Sequence, residues 1–96
     1  MLVRLTNEKL NVIDSIDIDS ETLKMVKKVN PGVRKIILDY IDAEGPTVLN
    51  GLQSQIAAEE LAALMPGRDF GPSVTSFLEI LRRAGAGVHR YVVLSP

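Results

Sequence analysis

The chain has 96 residues, with 11 Lys and Arg against 12 Asp and Glu, and no Cys. That length supports one domain. The absence of Cys excludes disulfide staples, thiolate metal sites and cysteine nucleophiles. Apolar residues make up 46% and aromatics 4%, without Trp, so an aliphatic core of packed helices is expected.

No apolar run approaches the ~20 residues of a membrane span. The first ten residues include Arg4, Glu8 and Lys9, unlike a signal peptide. A cytoplasmic protein without membrane contact is the expectation. The near-neutral total conceals banding. Lys24, Lys27, Lys28, Arg34 and Lys35 cluster without an intervening acid. Residues 36–65 hold Asp39, Asp42, Glu44, Glu59 and Glu60 and no base. Arg68, Arg82, Arg83, His89 and Arg90 follow. The banding reads equally as solvated helix faces or as a partner-facing patch.

In chain order, the alternation over Met1 to Thr6 predicts a short strand. Leu10 to Ile18 fits neither period and reads as strand or irregular, so residues 1–18 form an N-terminal extension. Asp19 or Ser20 caps a first helix, with Glu21 near the positive end of its dipole. Leu23 and Val26, with Met25 and Val29, supply its buried side, and Lys24, Lys27 and Lys28 face water. The step Asn30-Pro31-Gly32 ends this helix and starts the next. In that second helix Val33, Ile36, Ile37, Tyr40 and Ile41 fall at the spacing of one buried stripe, and Gly45-Pro46 stops it. Thr47 to Gln53 reads as a connector or short helical turn. Ser54 caps a third helix running through Met65, with Ile56, Ala57, Leu61 and Leu64 inward.

Pro66-Gly67 ends the third helix, and Pro72 or Ser73 opens the fourth. There Val74, Phe77, Leu78 and Leu81 form a second stripe. The run Ala84-Gly85-Ala86-Gly87 terminates it, and Tyr91 to Leu94 reads as a strand. The expected fold is mainly α with a small β element, in the order of a winged helix-turn-helix.

Three segments carry a family resemblance. The helix-to-helix step Asn30-Pro31-Gly32-Val33-Arg34, leading to Gly45, resembles the opening of ArsR-type winged-helix regulators. The run Val74-Thr75-Ser76-Phe77-Leu78-Glu79-Ile80-Leu81-Arg82-Arg83-Ala84-Gly85 resembles that family's helix-turn-helix tail. His89 to Ser95 resembles the return strand of its wing. The resemblance implies a winged helix-turn-helix that binds DNA and regulates transcription, commonly as a dimer. This chain departs from the family at several points. Thr47 to Gln55 looks inserted, the turn Pro66 to Gly71 is long, and Gly87-Val88-His89 leaves little room for an outgoing wing strand. The return strand is therefore expected to pair with Met1 to Thr6. No dimerisation helix follows Pro96, and the thiolate sensor is missing.

A recognition helix reads bases from its exposed side. Opposite the Val74 stripe lie Ser73, Thr75, Ser76, Glu79, Arg82 and Arg83. Ser and Thr can bond bases or phosphates, and a Glu can accept from cytosine. Late arginines meet phosphates. Arg90 in the wing, with Arg34 and Lys35 on the second helix, completes the expected DNA-binding set. Each has an ordinary alternative: Ser73, Thr75 and Ser76 as helix-initiating polar residues, Arg82 and Arg83 as cations at a helix C-terminus.

Other chemistry finds little support. His89 has no partner in sequence. Asp14, Asp17 and Asp19 raise a cation site but lack a glycine-containing calcium loop and read as solvated. Gly85 and Gly87 do not form a phosphate loop. No enzyme activity, metal or cofactor is expected. Double-stranded DNA is the expected partner. The alternative is a protein-interaction module on the same fold, favoured by the acidic third helix, with a second copy or another protein as partner.

Overall fold

Antiparallel pairing between distant segments organises the chain. The computed structural model describes residues 1–29, 35–42 and 45–96. Within these the order is β1 (Leu2–Thr6), β2 (Val12–Asp17), α1 (Ser20–Lys28), α2 (Ile36–Tyr40), β3 (Thr47–Leu49), α3 (Gly51–Leu64), α4 (Pro72–Ala86) and β4 (Tyr91–Ser95). The strands form one sheet in the order β2-β1-β4-β3, and every neighbouring pair is antiparallel. The expectation of a mainly α chain is thus corrected to α+β: four helices and a four-stranded sheet among the described residues.

Residues 1–18 are integral to the fold. β1 lies inside the sheet, with Val3 opposite both Ile16 and Leu94. Leu10 to Ile18, ambiguous in sequence, contributes β2. The pairing of β4 with the first segment is as expected, and no outgoing strand separates α4 from β4. Strand periodicity then sorts the side chains. Val3, Leu5, Leu49, Val92 and Leu94 are buried against the helices. Leu2, Arg4, Thr6, Val48, Tyr91, Val93 and Ser95 take the opposite face.

α1 begins where expected. The Asp19 carboxylate accepts from the Glu21 amide at 3.0 Å, and Leu23 and Val26 are buried. Met25, expected inward, is exposed. The Asn30-Pro31-Gly32 step and Val33 lie outside the described residues. α2 differs from the expected stripe: Leu38 and Ile41 are buried, whereas Ile36 and Tyr40 are about 60% exposed. The reason lies on another helix. The Glu60 carboxylate of α3 accepts from the amides of Ile36 (2.7 Å), Ile37 (3.0 Å) and Leu38 (2.9 Å). A helix starting at Ile36 and held in this way turns Leu38 and Ile41 inward.

The segment from Thr47 holds a second difference. Thr47–Leu49 is strand β3, and α3 starts at Gly51. Its cap is Asn50, not Ser54. Asn50 Oδ1 accepts from the Gln53 amide at 2.8 Å, and Gln53 Oε1 accepts from the Asn50 amide at 2.9 Å. This reciprocal pair is a capping box. Ser54 is fully buried in the first turns, without a hydrogen-bond partner for its hydroxyl among the described residues. The inward side is Ala57, Ala58, Leu61 and Leu64, with Ile56 half-buried.

α4 opens on Pro72 at its first position, after Gly71 at φ +90°. It buries Val74, Phe77, Leu78 and Leu81 as expected, together with Ile80 and Ala84. The run from Ala84 does not end the helix, which continues through Ala86. Gly85 has a packing role. A Cβ there would sit 2.9 Å from Gln55 Cβ and 3.1 Å from Gln55 Cα, so its absence lets α3 and α4 approach closely. In an open helix Ala would gain ~1 kcal/mol over Gly. Here backbone stands in the way, and overpacking costs ~1–3 kcal/mol. Gly85→Ala is therefore expected to destabilise the protein, read as a lower urea midpoint.

Candidate nucleic-acid interface

α3 and α4 are consecutive helices packed against each other across the turn 65–71, and the exposed side of α4 is the expected interface. The turn is held locally. Arg68 Nη1 donates to the Leu64 carbonyl at 3.1 Å, satisfying one of the free carbonyls at the end of α3. Asp69 Oδ1 accepts from the Gly71 amide at 2.9 Å, which fixes the entry to α4.

With its ridge buried, α4 presents Thr75, Ser76, Glu79 and Arg82 to solvent, while Ser73 is half-buried. Arg82 stands between two shallow grooves. One is lined by Thr75, Leu78, Glu79, Arg82, Arg83 and Ala86. The other runs between α3 and α4, past Gln55, Ala58, Glu59, Ala62, Gly85 and Ala86. Glu79 and Glu59 therefore flank Arg82 on either side.

The other expected cations are disposed differently. Arg83 Nη1 donates to Asp14 Oδ2 of β2 at 2.6 Å. This hydrogen bond, followed by the Ser15 amide at 2.8 Å on Oδ1, holds the Asp14 carboxyl below its ordinary pKa. Arg83 is thereby tied to the sheet. Lys35 is also engaged: its side chain is 9% exposed, its Nζ lies 3.5 Å from Asp39 and it donates to the Lys27 carbonyl. Lys27 in turn donates to the Ile41 carbonyl at 2.6 Å. These two lysines link the ends of α1 and α2 rather than facing a partner. Arg90 is half-buried and lies against Gly87, where no Cβ would fit beside it. Arg34 lies outside the described residues. Arg90 thus sits at the C-terminal end of α4, while Lys35 belongs to the α1–α2 junction.

The acids also separate. Asp14 meets Arg83, Asp19 caps α1, and Asp17 is exposed on β2. No group of three or more potential metal-binding side chains forms among the described residues. His89, at φ +54°, is exposed and 4.0 Å from Glu8. Asp14 and Glu60 emerge as contributors that sequence reasoning missed. Their partners lie 69 residues and 22–24 residues away, and no local pattern signals such pairs.

No described helix is long and apolar enough to cross a membrane. No protein-family profile, curated protein or solved structure matches the chain.

Proposed function

We propose that the chain is a DNA-binding winged-helix protein, related in design to ArsR-type regulators, that places α4 in the major groove. The observation that carries this reading is the two-sidedness of α4. A continuous buried ridge fixes the helix, and Thr75, Ser76, Glu79 and Arg82 stand free on the other side. The element order supports it. α2, β3, α3, α4 and β4 follow one another as in a winged helix, β4 runs antiparallel beside β3, and β1 takes the place of the missing wing strand.

Electrostatics sets the affinity. With Arg83 and Lys35 engaged internally, Arg82 and Arg90 are the cations of the expected set left for phosphates among the described residues. Glu60 is turned to the α2 amides, which removes one acid from the acidic α3. About two phosphate contacts per protomer give a weak monomer, and a two-fold dimer doubles them. A cytoplasmic transcriptional regulator acting as a dimer is the corresponding biological role.

Fluorescence anisotropy with a random duplex tests this. The plot of log affinity against log salt should slope at about −2 per protomer, and Arg82→Ala should reduce the slope by about one. Absence of binding at low salt would overturn the proposal. A second reading would then hold: a protein-interaction module, favoured by the mixed-charge setting of Arg82 between Glu79 and Glu59.

A further inference from the structure

The sheet has one face under α3 and α4. On the other, no described helix packs, and apolar side chains meet solvent. Leu2 is 37%, Val48 50% and Val12 53% exposed, while Tyr91 and Val93 are half-buried. The registers place Val48, Val93 and Arg4 in one row across β3, β4 and β1. By the same registers Ser15, Asp17 and Ser95 also stand on this face, so Tyr91, Val93 and Val48 form an apolar patch within a mixed surface.

Arg4 stands in the middle of this surface. Its guanidinium donates to Ser95 Oγ at 3.0 Å, but no carboxylate pairs with it among the described residues. Its Nε is buried without a partner, as is the hydroxyl of Thr6, two positions along the same face and 2% exposed. Buried donors without acceptors are costly, and a partly buried cation attracts a carboxylate more strongly than one in open water.

Size narrows the occupant. Four strands at ~4.8 Å spacing and five residues at ~3.4 Å give a face of ~14 by 17 Å. That footprint is far below the ~800 Å² per partner of a stable globular interface. It does fit a single helix, ~10 Å wide and spanning ~17 Å in 11–12 residues. We propose that the open sheet face, centred on Arg4, docks an amphipathic helix of another protein that carries an Asp or Glu within its apolar stripe. Covering the sheet in this way makes a third layer and gives Arg4 the anion it lacks. The site lies across the sheet from α4 and is independent of the DNA-binding reading.

The probe is a pair of fluorescein-labelled helical peptides of about 14 residues, long enough to span the face. They share a leucine stripe and differ only in a central Glu or Lys. The Glu peptide should bind about tenfold tighter than the Lys peptide. Arg4→Gln should erase the preference, Arg4→Glu should reverse it, and Val48→Asp, at an exposed position, should weaken the Glu peptide by about tenfold. Circular dichroism checks that each variant stays folded. Arg82→Ala should leave peptide binding unchanged, so a failure of DNA binding leaves this result intact. Equal binding of the two peptides, binding of neither, or an order unaffected by both Arg4 variants would overturn the proposal. So would sedimentation as a dimer that Val48→Asp dissociates, since that would assign the face to a second copy.

Discussion

Phe77→Ala is expected to cost about 3–5 kcal/mol, the range for deleting a buried aromatic ring. Phe77 is 1% exposed and sits in the ridge of α4 among Val74, Leu78 and Leu81. The core contains no Trp, and Phe77 is its largest buried side chain. Its neighbours are aliphatic and held between α3 and the sheet, so the cavity cannot easily collapse. A domain of this size has only about 5–15 kcal/mol in total, so the variant should lie close to unfolding at ambient temperature. Urea denaturation should show a large fall in midpoint at nearly constant slope. Phe77→Leu, which keeps most of the volume, should cost about 1–2 kcal/mol. A loss under ~1 kcal/mol for the alanine variant would mean that the ridge is not packed as described.

The second large effect is expected at Glu60. Its carboxylate receives three consecutive amides at the start of α2, and it favours the positive end of that helix. Charge-assisted hydrogen bonds are worth ~1.5–3 kcal/mol each. The Ile36 amide is exposed and those of Ile37 and Leu38 are partly buried, so water replaces part of the loss. Glu60→Ala should therefore cost about 2–3 kcal/mol in all, below the simple sum. Glu60→Gln keeps an acceptor oxygen but no charge and should cost roughly half as much. Amide hydrogen exchange at Ile37 and Leu38 should accelerate in the alanine variant, while α4 keeps its protection. An alanine variant within ~0.5 kcal/mol of the parent would show that α2 does not depend on this carboxylate.

These two positions also mark what the sequence could disclose. The Phe77 stripe was legible because helical periodicity is local: four apolar residues at the right spacing, behind Pro72 at a helix start, define both the helix and its inward side. Asp19 as a cap and β1 as a partner of β4 were legible for similar reasons, the second because Gly87-Val88-His89 is too short to supply a strand of its own. The rotated face of α2 was not, because its start is set by a carboxylate on α3. β3 was hidden by its brevity. Three residues carry little periodic signal, and Ser54 drew attention from Asn50, although Asn50 and Gln53 already had capping-box spacing.

The candidate interface was legible in part. Thr75, Ser76, Glu79 and Arg82 follow directly from the position of the ridge. The engagement of Arg83 by Asp14 and of Lys35 by Lys27 and Asp39 did not follow. A side chain's charge is written in the sequence, but its availability is decided by whatever the fold brings beside it. Of the expected phosphate contacts among the described residues, these two need an internal bond broken first. The same limit applies to Arg4, whose place between Ser15 and Val93 exists only once the strands are aligned.

The interior placement of β1 has a kinetic consequence. Residues 2–6 can pair early with their hairpin neighbour β2, but their other edge waits for residues 91–95, close to the far end of the sequence. Contacts of such long separation slow folding relative to helical proteins of equal size. During synthesis the hairpin must persist with one edge open until β4 emerges from the ribosome. That interval, rather than the finished protein, is when the chain is most exposed to mispairing with another strand.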